Sequence, residues 1–295
     1  MRRIPWSVCA GVCLAAAAAF LSGPTTLRAQ RQQIVWSDQE KPILEQIRKL
    51  RSLPDDERAR VTKRLALQIR QLPAGSHKEG LANSLANLVT EGDPGAETLQ
   101  EVATTLAEAL REQPAAAGKD KSTMSYATLA QLVRYEHVQV SVDDPRFAAA
   151  MAKLEDDDRS RQSVNFTLAD LAGKSWTLRD LRGSVVLVNF WATWCPPCRK
   201  EMPDLEALYQ RFGPKGLVIL AISDEEIGKI QPFIAEHRFN YPILLDPGRK
   251  VNELFRVEGI PKSFVYDREG KLAAQAIDMR TQRQFLEMLA HAGLE

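Results

Sequence analysis

The sequence predicts an α/β domain, a central mixed sheet flanked by helices with an N-terminal hairpin, preceded by an all-α domain. Three observations carry this. Apolar residues recur at helical spacing from Gln32 to about Asp158, a continuous β-branched strand stands at Val185 to Phe190, and strands then alternate with helices to the C-terminus. At 295 residues the chain exceeds the usual single domain of about 100 to 200 residues, which suits one targeting segment plus two domains. The expected division is 1–29, 30–159 and 160–295.

The first segment has signal-peptide anatomy: Arg2 and Arg3, an apolar run from Val8 to Leu21, then Ser22, Gly23 and Pro24 and a small-residue exit near Ala29. Export across the inner membrane to the periplasm is the expectation. The alternative is retention by an N-terminal anchor, because Ile4 to Leu21 approaches the roughly 20 apolar residues of a spanning helix, although Pro5, Ser7 and Gly11 weaken it. With 39 basic and 38 acidic residues interspersed, the chain has no broad field to gather nucleic acid. Removal of the signal segment takes Cys9 and Cys13 with it, and the mature chain keeps only Cys195 and Cys198. Two cysteines cannot make a four-ligand zinc site, and His77, His137, His237 and His291 show no ligand spacing near them. The expectation is a chain with no metal and no cofactor, in which electrons pass through the cysteine pair.

In the helical region Ser37 with Glu40, and Ser76 with Glu79, read as capping boxes. Apolar stripes follow in order: Ile43, Ile47 and Leu50; Val61, Leu65, Ile69 and Leu72; Leu81, Leu85, Leu88 and Val89; Leu99, Val102, Leu106 and Leu110; then Tyr126, Leu129 and Val133. Pro54 and Pro94, and Pro73 and Pro114, recur about 40 residues apart, the length of a helical-hairpin repeat, though two copies are fewer than stacked repeats need. Pro114 to Lys121 reads as a loop. A short helix with Phe147, Met151 and Leu154 precedes the charged run Glu155 to Gln162, the expected domain boundary. No catalytic constellation occurs in this half.

Beyond Ser163, Phe166 to Leu178 reads as a hairpin around Gly173, and Val185 to Phe190 as a strand buried on both faces. A helix from Cys195 to about Arg211, a strand Leu217 to Ile222, a helix Glu225 to His237 and a strand Ile243 to Leu245 follow. A short helix at Val251 to Phe255, a strand Ser263 to Tyr266, a turn at Glu269 and Gly270, a strand Leu272 to Ala276 and a helix Gln282 to Ala290 complete the chain.

Cys195 and Cys198 lie where the first long strand hands over to its helix, so the first thiol caps a helix N-terminus. Free backbone N–H groups and the helix dipole there stabilise a thiolate, lowering a pKa of about 8.5 into roughly the 3.5 to 7.5 range. Cys195 is therefore the expected nucleophile, exposed and acid-shifted. Cys198, one turn inward, is the resolving thiol. Pro196 and Pro197 fit the first turn, where a missing N–H is tolerated. A static disulfide is the alternative that spacing alone leaves open.

The segment VNFWATWCPPCRKEMP, with Trp191, Trp194, the two cysteines and Pro203, together with GIPKSFVYD near the end, resembles the thioredoxin superfamily and within it the TlpA/ResA type of extracytoplasmic reductases, a redoxin or AhpC/TSA-like domain. The resemblance runs from about Phe166 to the C-terminus and leaves the helical region uncovered. It implies a thioredoxin-like fold and a cis bond between Ile260 and Pro261, with the Ile260 backbone free to pair with an extended substrate. Trp194 and Pro196 beside the nucleophile, with Ile260 and Pro261, form the expected substrate-binding set. Where thioredoxin carries a buried aspartate six residues before the first cysteine this chain has Asn189, and the resemblance assigns the proton acceptor to Glu201, three residues after Cys198. A solvated helix glutamate is the plain alternative. Ile277 and Asp278 depart from the family pattern, which has glycine in that stretch.

The implied activity is reduction of protein disulfides. Client proteins with disulfides are its partners, a membrane thiol-electron transporter its reductant, and apocytochrome c one client through cytochrome c maturation. A peroxidase of the redoxin type is a second reading, but it needs a threonine three residues before its cysteine, and Thr193 is two before Cys195. A helical docking protein with a redox-sensing domain is a third.

Overall fold

The computed structural model describes residues 35–112 and 122–295, without the side chains of Ser76 and Ser122. The expected signal segment and the loop Pro114 to Lys121 lie outside the described residues. No helix among the described residues is long and apolar enough to cross a membrane.

Five helices build the first layer: α1 (Glu40–Lys49), α2 (Asp55–Arg70), α3 (Ser76–Val89), α4 (Ala96–Arg111) and α5 (Ser122–Tyr135). Their stripes meet in one core, in which Leu65, Ile69, Leu85, Val102, Leu106 and Leu129 are wholly buried. Ser37 and Glu40 exchange the two reciprocal bonds of a capping box, Glu40 N–H to Ser37 Oγ at 3.2 Å and Ser37 N–H to Glu40 Oε2 at 2.7 Å. The second expected box differs. Gly75 occupies the N-cap of α3, and the Glu79 carboxylate accepts from the Ser125 hydroxyl of α5 instead. A carboxylate that can bridge two helices in the core has a stronger partner there than a cap offers.

The sixth helix, α6 (Pro145–Gln162), is 18 residues long and corrects the sequence reading of a short helix followed by a charged linker. Asp144 caps it, accepting from the Arg146 N–H at 2.8 Å. Its first half packs Phe147, Met151 and Leu154 on the helical core. The charged run is its second half, and its side chains bond to both layers, Glu155 and Asp158 to Arg134 of α5, Asp156 and Asp157 to Arg256, and Arg161 to the Phe255 carbonyl. The difference arises because a run of Glu, Asp and Arg reads as solvated until partners such as Arg256, 100 residues from Asp156, are folded against it.

After α6 a two-stranded hairpin of β1 (Thr167–Ala169) and β2 (Ser175–Thr177) leads to β3 (Val185–Phe190), α7 (Pro196–Phe212), β4 (Leu217–Ser223), α8 (Ile227–His237), β5 (Ile243–Leu245), α9 (Lys250–Leu254), β6 (Lys262–Tyr266), β7 (Leu272–Gln275) and α10 (Gln282–His291). The five-stranded sheet has the order β5-β4-β3-β6-β7, with β3, β4 and β5 parallel and β6 and β7 antiparallel to β3. This mixed sheet with helices on both faces is the expected thioredoxin-like arrangement. All six residues of β3 are buried, each fully buried aliphatic side chain contributing roughly 1.5 to 3 kcal/mol relative to exposure. Strand alternation divides them. Val185 and Leu187 face the cluster with Met202, Leu205 and Phe285, while Val186, Val188 and Phe190 face Phe255, Phe264 and Tyr266. Asn189, two residues beyond Leu187, consequently lies under α7.

The two layers are packed together. Ile277, in the stretch that departs from the family pattern, packs on the helical core, so a side chain at this point serves as an anchor.

Candidate active site

Residues 191–195 carry the chain from β3 to α7, and three contacts hold this segment. The Trp191 N–H donates to the Ile222 carbonyl at 3.1 Å and its buried indole lies 5.6 Å from the Phe233 ring. Thr193 donates its backbone N–H and its hydroxyl to the two oxygens of Glu225, at 2.6 and 2.9 Å. Cys195 thereby occupies the N-cap of α7, and its sulfur accepts the Cys198 N–H at 3.3 Å. A thiolate at this place gains from that N–H and from the positive end of the helix dipole.

Cys195 and Cys198 are joined in a disulfide, S–S 2.06 Å, with Cα atoms 5.3 Å apart. Cys195 is only 2% exposed and Cys198 not at all, which corrects the expectation of an exposed first thiol. The loop before β6 is one reason: the Ile260 carbonyl oxygen stands 3.8 Å from the Cys195 sulfur. The Ile260–Pro261 bond is cis, as expected. Around the buried sulfur the surface is apolar. Trp194 is 67% exposed, Pro196 is exposed, Ile260 half-buried and Pro261 buried. Of the expected substrate-binding set, Ile260 is brought to the Cys195 sulfur by the fold, with Pro261 next to it in the chain, while Trp194 and Pro196 flank Cys195 in sequence.

Glu201, one turn after Cys198 on α7, is 1% exposed, which excludes the solvated alternative. Its carboxyl is held from two elements, Asn189 Nδ2 of β3 donating to Oε1 at 2.7 Å and the Arg280 backbone N–H donating to Oε2 at 3.1 Å. Asn189 also donates to the Ser263 hydroxyl of β6 at 3.0 Å. Burial pushes the Glu201 carboxyl up to about 8, with the nearby Asp278 acting in the same sense and the Arg280 N–H and Asn189 amide against it. Asn189 therefore replaces a buried acid by a donor that orients one. A carboxyl balanced near neutrality, buried three residues after Cys198 on the same helix, can take up or release a proton in the pH range where dithiol exchange runs.

On the other side of the disulfide a cleft of about 400 Å³ runs from Pro197, Ile260 and Pro261 to Arg51, Gln131 and Tyr135 of the helical layer. Lys262 is in its wall, its ammonium donating to the Ala276 carbonyl at 2.6 Å. Burial, then the charges of Arg161 and Arg280, draw this lysine down to about 7. Glu225, Arg280, Lys262 and the helical residues of the cleft were not singled out by sequence reasoning. Glu225 follows a strand with no motif around it, and the others act only through tertiary proximity.

The AhpC/TSA family model matches residues 160–275. A thiol-disulfide oxidoreductase ResA from Bacillus thuringiensis (strain Al Hakam) is 38% identical over 125 residues, which cover 42% of this chain and 72% of the relative. A ResA from Bacillus subtilis (strain 168) is 35% identical over 127 residues, 43% of this chain and 71% of the relative. Among solved structures, the thioredoxin domain of a thiol-disulfide oxidoreductase from Bacteroides vulgatus is similar, with 32% identity and a TM-score of 0.39 over 43% of this chain and 94% of that one.

Proposed function

Because the chain belongs to the family of ResA-type thiol-disulfide oxidoreductases, we propose that it reduces disulfides of client proteins outside the cytoplasm, by dithiol exchange through Cys195 and Cys198. The observation that carries this reading is the disulfide at the N-terminus of α7, bordered by the Ile260 carbonyl and backed by the buried Glu201.

In the reduced enzyme the Cys195 thiolate attacks one sulfur of a client disulfide. A Cys195–client bond forms, the client S–S bond breaks, and the other client sulfur leaves as a thiolate. Cys198 then gives its proton to the ionised Glu201 and attacks the Cys195 sulfur. The mixed disulfide breaks, the client leaves with both sulfurs reduced, and the enzyme is left as the Cys195–Cys198 disulfide. Two electrons have moved to the client. They are restored by a membrane thiol-electron transporter, since an exported chain does not meet cytosolic reductants. Trp194, Pro196 and Pro261 supply apolar contact to the client, and the Ile260 carbonyl is an acceptor for its extended backbone. The N-terminal signal segment gives the periplasmic address, and exported proteins with cysteine pairs, apocytochrome c among them, are the client class.

Trapping tests the division of labour. Cys198→Ser is expected to accumulate mixed disulfides with client proteins in non-reducing gels, because release needs the second thiol, and Cys195→Ser to accumulate almost none. Equal trapping by the two variants would overturn the assignment.

A further inference from the structure

We propose that Glu136, at the end of α5 in the helical layer, is a positioning residue for the dithiol centre: by pairing with Arg280 it sets how strongly that arginine's charge bears on Glu201. The inference rests on the reading of Glu201 as the proton acceptor of Cys198.

Arg280 lies in the connection between β7 and α10, and its residue is 4% exposed. Its backbone N–H is one of the two donors to Glu201. Its guanidinium points the other way, into the helical layer, where both terminal nitrogens donate to the two oxygens of Glu136, one of them at 3.3 Å. The Glu136 side chain is 9% exposed, and Arg280 Nε has no hydrogen-bond partner among the described residues. The pair is therefore fork-to-fork, nearly dry, and contributed by two different layers. In so dry a setting a neutralising partner alters the field of a cation at its neighbours far more than it would in water. One residue thus joins the active-site carboxyl, through its backbone, to the helical layer, through its side chain.

Other groups facing Glu201 do not duplicate this link. Cys198 and Asp204 share its helix, Asn189 and Ser263 are uncharged, and the Tyr241 hydroxyl is buried with its proton retained. Asp278 faces it from the same connection as Arg280, and is itself influenced by Glu91 and Arg51. Around Arg280 stand Glu136, Asp278 and Lys262, and the groove beside it holds His137 and His291, with rings 6.1 Å apart. Glu136 is the carboxylate that pairs with the guanidinium, so it is the one whose removal frees that charge.

The test uses the full chain and follows single-turnover release of a peptide from its mixed disulfide with Cys195 against pH. Glu136→Gln leaves the Arg280 charge unneutralised, favours ionised Glu201, and is expected to move the midpoint of the release profile down by about one pH unit, a tenfold rate change on its limb. Arg280→Gln keeps the backbone N–H and removes the charge, and is expected to move the midpoint up. Opposite shifts are a signature that general loosening of the layers does not produce, and thermal melts confirm that each variant is folded. Glu136→Asp is expected to restore most of the profile. In a Glu201→Gln background Glu136→Gln is expected to move nothing. A profile for Glu136→Gln that superimposes on that of the unaltered protein, while Glu201→Gln changes it, would reduce Glu136 to a clamp between layers. Equal shifts in one direction for the Glu136 and Arg280 variants would overturn the proposal as well. If Glu201→Gln itself leaves the profile unchanged, the reading of Glu201 fails first, and this one with it.

Discussion

Glu201 has an ordinary pKa of 4.5, and burial raises it to about 8 in the folded chain. Between those values the unfolded chain has released the proton that the folded chain retains, so the unfolded state binds fewer protons and stability falls as pH rises through the window. Each full pH unit inside it costs about 1.4 kcal/mol from this group. Lys262 acts in the opposite sense but later: drawn down from 10.5 to about 7, it makes stability rise with pH only above about 7. Between pH 5 and 7 the fall is therefore led by Glu201, and Asp278 and Asp204, whose carboxyls burial also raises, act in the same sense. Denaturant unfolding of the oxidised protein is expected to show a loss approaching about 1.4 kcal/mol per pH unit there, and Glu201→Gln a shallower slope. Parallel slopes would mean that the carboxyl is ionised in the folded state. The same substitution is expected to lower the cysteine pKa values, since an ionised carboxylate near the sulfurs opposes a thiolate, and still to slow release of the mixed disulfide near neutral pH, because the proton acceptor is gone. Thiol alkylation and single-turnover release across pH read the two effects separately.

At the scale of elements, α6 is the strut between layers. Its apolar first half belongs to the helical core, and its charged second half bonds both to α5 and to the sheet layer. Arg161, 5% exposed, donates to the Phe255 carbonyl at 2.9 Å and lies 5.3 Å over the Phe264 ring, while its own carbonyl accepts the Tyr266 hydroxyl at 2.9 Å. Asp158, one turn earlier, accepts from the Tyr135 hydroxyl of α5 at 2.9 Å and from the Gln275 amide of β7 at 2.6 Å. Arg256 reaches back from the end of α9 to Asp156 and Asp157. Removing Arg161 leaves the Phe255 carbonyl without its side-chain donor and takes a buried cation from beside Asp158, which keeps Arg134, Tyr135 and Gln275 as hydrogen-bond donors. Arg161→Ala is expected to cost roughly 2 to 4 kcal/mol in denaturant unfolding while the folded fraction keeps its turnover of a small generic disulfide. A loss of turnover without a loss of stability would place Arg161 in the chemistry instead.

For the whole molecule, the course of α6 decides where a redox fragment is to be cut. A fragment beginning at Ser160 would keep Arg161 and lose Asp156, Asp157 and Asp158, whereas one beginning at Pro145 retains the strut. We expect 145–295 to fold alone and to reduce a small generic disulfide, and 160–295 to be the less stable of the two in thermal melts. The longer fragment lacks Glu136 and the helical wall of the cleft beside Ile260 and Pro261, so discrimination among protein clients is expected to fall more than turnover of a small disulfide does. Discrimination equal to that of the full chain would mean that the helical layer has no part in choosing clients.

Sequence alone determined what depends on neighbours along the chain. Periodicity located the helices and the strands of the sheet, because a 3.6-residue or 2-residue repeat is written locally, and the spacing of Cys195, Pro196, Pro197 and Cys198 after a buried strand placed the disulfide at a helix start. Glu201 was within reach of sequence because it shares a helix face with Cys198. Tertiary structure alone decided the rest. The burial of Cys195 depends on the loop at Ile260, 65 residues later. The use of the charged end of α6 as an interface depends on Arg256 and Gln275, about 100 residues away. The pairing of Arg280 with Glu136 spans 144 residues. Charge in a sequence carries no mark of whether its partner will be water or another side chain, and only packing makes that choice.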